Sequence, residues 1–245
     1  QDQSTLPKVL KNSFIFDMYK SLLDKDKIYD EVDRLLNKLF PLCRSITGSG
    51  VRETLLELKN ISEFNIIDVP SGQNHYDWEI PKEWSINEAF IEDLKGNRIL
   101  DFKNSNLHVM NYSAPIDNYF KFDELEKHLY HLSNLPNAIP YKTSYYNNNW
   151  GFCLTYDQFK SLNKNATYRA YIDSSFIDGN LNIGEKKIVG KSKNKQNFLF
   201  TTYCCHPSLG NDNLSGIVLW IFLLRELKNL EPRNNYTFVI HPETV

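Results

Sequence analysis

Hydrophobic positions change period twice along this chain. From Lys27 to Phe40 they recur at helical spacing, with Ile28, Val32, Leu35, Leu36 and Leu39 on one face, and the run stops where Phe40 precedes Pro41. Phe14, Met18 and Leu22 predict a shorter helix over Ser13 to Leu23, and Val51, Leu55 and Leu58 predict another over Val51 to Ile61. A turn-rich loop, Leu42 to Gly50, joins the last two. Phe64 to Val69 reads as a strand, closed by Pro70, Ser71 and Gly72.

The period then shortens to two. Trp84 to Ile91, Arg98 to Phe102, Leu107 to Tyr112 and Tyr168 to Ile172 are short runs rich in aromatic and β-branched residues. Turn signals separate them, and Asp93 to Gly96 and Asp178-Gly179 read as hairpin turns. One helix, Phe122 to Leu132, interrupts this mostly β stretch. A basic, polar link from Lys186 to Lys195 follows and reads as a solvated loop. After it come an apolar run expected to be a buried strand, Phe198 to Tyr203, a Pro/Ser/Gly/Asn loop, a helix from Asn213 to Leu227 and a last strand, Tyr236 to Ile240. The whole reads as an α/β core in two pieces, 13–73 and 189–245, with a mostly β domain, 74–188, inserted between them.

Composition narrows the function classes. At 245 residues the chain holds one large domain or two small ones. A net charge of −2 gives no electrostatic reason to expect nucleic acid or an anionic membrane as partner. The longest apolar run, Ile217 to Leu224, is far short of the roughly 20 residues a membrane span needs, and the polar Gln1 to Asn12 is no signal peptide. Cys204 and Cys205 are adjacent in a strand and point to opposite faces, so with Cys43 and Cys153 they are read as free thiols of a reducing, cytoplasmic setting. A start at Gln1 without methionine and a stop at Val245 without a tail read as a segment of a longer protein.

The candidate chemistry lies where the strand ending at Tyr203 meets the following helix. A strand end, a polar loop and a helix N-terminus together form the usual ligand crevice of an open α/β sheet. His206 would offer a neutral nitrogen there and Asp212 an oxygen, a donor pair that suits zinc. On spacing alone a loop histidine and a helix cap are the commoner reading of such a pair. Cys205 to Ser208, with Asn211 to Gly216, resembles the first metal-binding segment of the zinc aminopeptidase and carboxypeptidase superfamily. Longer strings are similar to a group of bacterial aminopeptidase-like proteins: Leu39 to Gly48 with Val51 to Leu55, Val69 to Gly72 with Asp77 to Trp84, and Ile139 to Tyr146. Asn106 to Val109, Tyr112 to Pro115, Trp150 to Cys153 and Pro242 to Thr244 extend the likeness, which runs from about residue 28 to the end.

That resemblance implies a three-layer α/β/α zinc-peptidase core, interrupted by a β domain and continued beyond Val245. It implies His206 and Asp212 as ligands of one or two zinc ions, with further ligands beyond Val245, and Glu243 as the general base. Residues 1–245 alone would then bind zinc weakly and hydrolyse little. Two departures stand out. Pro242-Glu243-Thr244 offers one carboxylate where those enzymes have two successive glutamates, so Glu243 is either base or ligand. Pro207-Ser208 stands where they carry an aspartate, which leaves open what orients the histidine.

Other residues are weighed more briefly. Arg44 could take a substrate carboxylate bidentately, or be a surface arginine at a helix end. Tyr145, Tyr146 and Trp150, with Phe152, could form an aromatic wall for a substrate, or be the core of the β module. A Cys205–His206 thiol pair is set aside because neighbours on an extended strand face opposite ways. His75, His108, His128 and His131 show no convincing ligand spacing. The expectation is a zinc-dependent, aminopeptidase-like hydrolase acting on a terminal peptide or amide bond of a peptide-like or amide-bearing small substrate. The alternative is a non-catalytic protein of the same fold that binds carbohydrate or a protein partner, linked to surface-polysaccharide biosynthesis.

Overall fold

The computed structural model describes residues 25–242, so the helix expected over 13–23 and the base expected at Glu243 lie outside the described residues. The chain divides into two compact units, 1–38 and 39–245. Helix α1 runs Lys25–Leu39, as its apolar face predicts. Within the first unit its polar side is laced by Asn37 Nδ2 donating to Asp33 Oδ2 at 3.0 Å, a pair one helical turn apart.

In the second unit, α2 (Ser49–Lys59) buries Val51, Leu55 and Leu58. It is preceded by Gly48 at φ +104°, where a Cβ would stand 2.6 Å from the Trp84 carbonyl oxygen, so only glycine fits. The strands follow as β1 (Asn65–Pro70), β2 (Asn74–His75), β3 (Trp78–Glu79), β4 (Glu83–Asp93), β5 (Arg98–Asp101) and β6 (Ile116–Lys121). Then come α3 (Phe122–Leu125), β7 (Leu129–Tyr130), β8 (Phe152–Cys153), α4 (Tyr156–Ser161), β9 (Thr167–Ile177) and β10 (Asn180–Ile188). β11 (Asn197–Tyr203), α5 (Ser215–Asn229) and β12 (Asn235–His241) close the described chain.

Two four-stranded sheets organise this mixed α/β unit. The first has the order β1-β10-β12-β11, antiparallel except for the parallel pair β11–β12. Helix α5 lays Trp220 against Phe238 of β12 and Phe64, with ring centroids 5.8 and 5.4 Å apart. The second sheet, β5-β4-β9-β6, is antiparallel throughout and is built on the long β4–β9 ribbon, from Glu83 opposite Ile177 to Asp93 opposite Tyr168. Alternation along these strands sends Ala89, Ile91, Ala170 and Ile172 into a core shared with Phe122, Leu125 and Phe152.

Several sequence expectations need correction. β10 runs to Ile188, so the start of the expected solvated loop, Lys186 to Ile188, is strand, and its pairing with β1 and β12 makes Asp178-Gly179 a crossing between sheets rather than a hairpin turn. β11 is not a buried strand: among the described residues it pairs on one side only, and Leu199 is 64% exposed. Leu107 to Tyr112 is not a strand: a 3-10 turn, Asn106–His108, is followed by isolated bridges at Val109 and Asn111. The helix predicted over 122–132 breaks after Leu125 into a 3-10 turn and then into β7, which pairs with β8.

One ion pair ties α2 to the start of β4 and to β10. Arg52 Nη1 and Nη2 donate to Glu83 Oε2 and Oε1 at 2.7 and 2.5 Å, and Asn180 N donates to the same carboxylate at 3.4 Å. These bonds hold the Glu83 carboxyl below its ordinary value against the opposing effect of burial. A depressed carboxyl contributes stability above about pH 4.5 and loses it as pH falls through its lowered folded value. Arg52→Ala is expected to cost about 1–2 kcal/mol of unfolding free energy at pH 7, the lower part of the range for stranding a buried partner because Arg52 is itself partly exposed. The deficit relative to wild type should shrink below pH 4.5, as read by urea denaturation at a series of pH values.

Candidate functional site

The site grows from the parallel pairing of β11 and β12. Their register places Tyr203 opposite His241, and Cys204 N donates to the His241 carbonyl at 2.7 Å as the last rung. The loop after β11 and the chain after β12 therefore leave the same end of the sheet, one carrying His206 and the other leading to Pro242.

Arg44 anchors the β11 loop from beneath. It is fully buried, with Nε donating to the His206 carbonyl at 2.8 Å and Nη1 to the Leu39 carbonyl at 2.5 Å. Its own carbonyl accepts from Asn111 Nδ2 at 3.0 Å, and Ser208 Oγ donates to the Phe40 carbonyl at 2.8 Å. Burial lowers the guanidinium's pKa and lifts the nearby thiols, Cys43 to about 12 and Cys204 to about 11. Arg44 thus clamps backbone to backbone from a fully buried position, not from the surface of a helix end. All four cysteines are free.

Around His206 the structure assembles rings and one thiol. Its Nδ1 lies 3.3 Å from Cys205 Sγ, and the rings of Tyr141 and Tyr203 stand 4.7 and 5.4 Å away. The argument that adjacent residues must face apart fails here because β11 ends at Tyr203 and the backbone is no longer extended as a strand. Cys205 is nevertheless fully buried, packed with Ile46, Trp84 and Tyr112, so it is no exposed nucleophile.

Asp212 does not cap α5. It and Asn213 have non-helical backbone angles, the peptide between them is cis, and α5 begins without a side-chain cap. The Asp212 carboxylate instead accepts the Tyr203 hydroxyl, so one tyrosine touches both candidate ligands, by its ring and by its oxygen. Asn213 Nδ2 fastens the turn to Thr202 Oγ1 and to the Tyr203 carbonyl at 2.7 and 3.0 Å. Gly216 leaves room for this, since a Cβ there would run into Asn213 Oδ1.

The aromatic candidates separate. Tyr145 shares a 2.6 Å hydroxyl contact with Tyr141, the ring beside His206, and packs edge-on to Tyr146, which is 68% exposed. Trp150 is partly buried against the core of the second sheet, stacked on His128 at 3.8 Å and near Phe120 and Phe152. Tyr141 and Tyr203 were missed as site residues from sequence. Their only signals were Tyr203 closing the strand ahead of His206 and Tyr141 within the Ile139 to Tyr146 string. Among the described residues no group of three or more His, Cys, Asp or Glu side chains stands close enough to hold a metal ion. His206 and Asp212 have the donor chemistry of a zinc site, but they are two donors where at least three are usual.

Residues 33–245 match the family described as "Domain of unknown function (DUF4910)". A Clostridium acetobutylicum protein, provisionally named a polysaccharide biosynthesis protein with an aminopeptidase-like domain, is 44% identical over 215 residues, 88% of this chain and 49% of its own. A crystal structure from the same organism, provisionally described as a peptidase, superposes with a TM-score of 0.87 at 42% identity, over 93% of this chain and 53% of that one. The chain thus spans about half the length of these relatives. The Bacillus subtilis zinc aminopeptidase shares the fold, with a TM-score of 0.55 at 12% identity over 86% of this chain and 60% of its own. So does a peptidase M28 precursor from Shewanella amazonensis, at 0.51 and 9% over 86% and 62%.

The bond from Tyr203 to Asp212 has a direct signature. It pushes the Tyr203 phenol up to about 12, with burial adding to the effect. In an NMR titration with ring-labelled tyrosine, Asp212→Asn should bring one tyrosine back toward the ordinary value of about 10. An unchanged set of tyrosine titrations would show that the two side chains do not meet in solution.

Proposed function

Since the chain belongs to the DUF4910 family, and its fold is that of the zinc aminopeptidases, we propose that it forms part of a metal-dependent hydrolase that cleaves a terminal peptide or amide bond. In this reading His206 and Asp212 hold zinc, and Glu243 is the general base. The observation that carries the proposal is the convergence on Tyr203: its ring lies against His206, its hydroxyl holds Asp212, and its strand is in register with the one leading to Glu243.

Zinc, when bound, supplies Lewis-acid charge that acidifies water and polarises a carbonyl. The chain's own residues do the rest. Glu243 takes the proton of the attacking water and returns it to the departing amine. Tyr203 steadies the Asp212 carboxylate, and the Arg44 clamp fixes the backbone from which His206 projects. Tyr145 and Tyr146 offer an aromatic wall to the group on one side of the scissile bond. The free thiols support a reducing, cytoplasmic setting. No helix among the described residues is long and apolar enough to cross a membrane.

The name of the clostridial relative favours a second reading, a protein of this fold that serves polysaccharide assembly by binding carbohydrate without catalysis. Metal content and one substitution separate the two. The full-length protein should carry zinc by elemental analysis, and Glu243→Gln should keep the metal while kcat for amide cleavage falls by about 10²–10⁴. A metal-free protein inactive on aminoacyl and acylamino-sugar amides alike would favour the binder.

A further inference from the structure

A histidine that binds zinc ordinarily donates its other ring N–H to a carboxylate, a backbone carbonyl or water, and that partner sets the ring's tautomer and orientation. Here the position where the resemblance leads one to expect such an aspartate is occupied by Pro207-Ser208. The group actually at His206 Nδ1 is a thiol, Cys205 Sγ, at 3.3 Å. We propose that Cys205 is the positioning residue for His206: its sulfur accepts the Nδ1–H bond, keeps the proton off Nε2, and so assigns Nε2 to the metal. The inference rests on the proposed role of His206 as a ligand and names what prepares it.

Four features of the structure support this division of labour. Cys205 is fully buried, which removes it from nucleophilic chemistry, and its packing with Ile46, Trp84 and Tyr112 fixes where the sulfur sits. The His206 backbone cannot drift, because its carbonyl accepts from Arg44 Nε at 2.8 Å. The rings of Tyr141 and Tyr203 are inclined to the imidazole by 57° and 63°, so they limit its tilt. Cys204 is also buried, beside Arg44 and with its thiol bonded to Thr54, and serves as an internal control.

The test uses the full-length protein with cobalt(II) and zinc titrated against a competing chelator, beside nitrogen NMR of the histidine rings in metal-free protein. Cys205→Ala should weaken metal binding by about 10- to 100-fold, the usual effect of removing such a partner. Cys205→Ser, whose oxygen can also accept the bond, should recover most of the affinity, and Cys204→Ala should leave it unchanged. In metal-free wild type His206 should show the Nδ1–H tautomer, and Cys205→Ala should lose that preference.

Wild-type affinity in Cys205→Ala, or an Nε2–H tautomer in wild type, would overturn the proposal. So would a cobalt–thiolate charge-transfer band that vanishes in Cys205→Ser, because Cys205 would then be a ligand itself. If wild type binds no metal, the hydrolase reading fails while the tautomer still decides the role of Cys205. If Cys205→Ala does not fold, the serine variant and the wild-type tautomer decide it.

Discussion

Parallel pairing of β11 with β12 is the constraint from which the candidate site follows. Parallel neighbours end at the same edge of a sheet, so whatever follows each strand is delivered to a common place. The last rung, Cys204 N to the His241 carbonyl, brings that delivery to within two residues of both His206 and Glu243. An antiparallel arrangement would have sent the two segments to opposite ends. β10, wedged between β1 and β12 in the antiparallel sense, returns the chain from the insert to the core without disturbing that pair.

A buried arginine is an expensive way to hold a loop, because its charge has been removed from water. Arg44 offsets part of the cost by donating to two carbonyls on different segments, Leu39 and His206. Its Nη2 finds no hydrogen-bond partner among the described residues, so within them the guanidinium is not fully compensated. The insert contributes through Tyr112, whose backbone lies in the left-handed region at φ +64°. That conformation persists because it is over-determined: Thr47 bonds the phenol, Ser144 Oγ donates to the Tyr112 carbonyl at 2.9 Å, and the Trp84 and Tyr145 rings pack on it. From Tyr145 a hydroxyl contact reaches Tyr141, and from Tyr141 a ring contact reaches His206. Tyr112, Tyr145, Tyr141 and His206 are therefore linked in one packed network.

Much of this was legible in the sequence, for identifiable reasons. Long helices with a single apolar face, α1 and α2, announced themselves by period, and the β4–β9 ribbon did so by alternation. What failed were inferences about partners. An apolar run at β11 signals a strand but not whether both of its edges are paired, and Lys186 and Lys187 look like a solvated link although they lie in β10, paired with β12. Asp212 ahead of a helix looked like a cap because local spacing knows nothing of the Tyr203 hydroxyl nine residues earlier. Arg44 shows the same limit: a charged group at a helix end resembles a surface feature until its burial is known. His206 needed the resemblance, since one histidine in a loop carries no period at all.

The central claim is that His206 and Asp212 share one cation above the end of β11. Anomalous diffraction at the zinc edge, from crystals of the full-length protein, tests it most directly. The account predicts a single-site or paired peak with His206 nitrogen and Asp212 oxygen each about 2.0–2.2 Å from zinc. A zinc peak elsewhere, with these two side chains turned away from it, would contradict it.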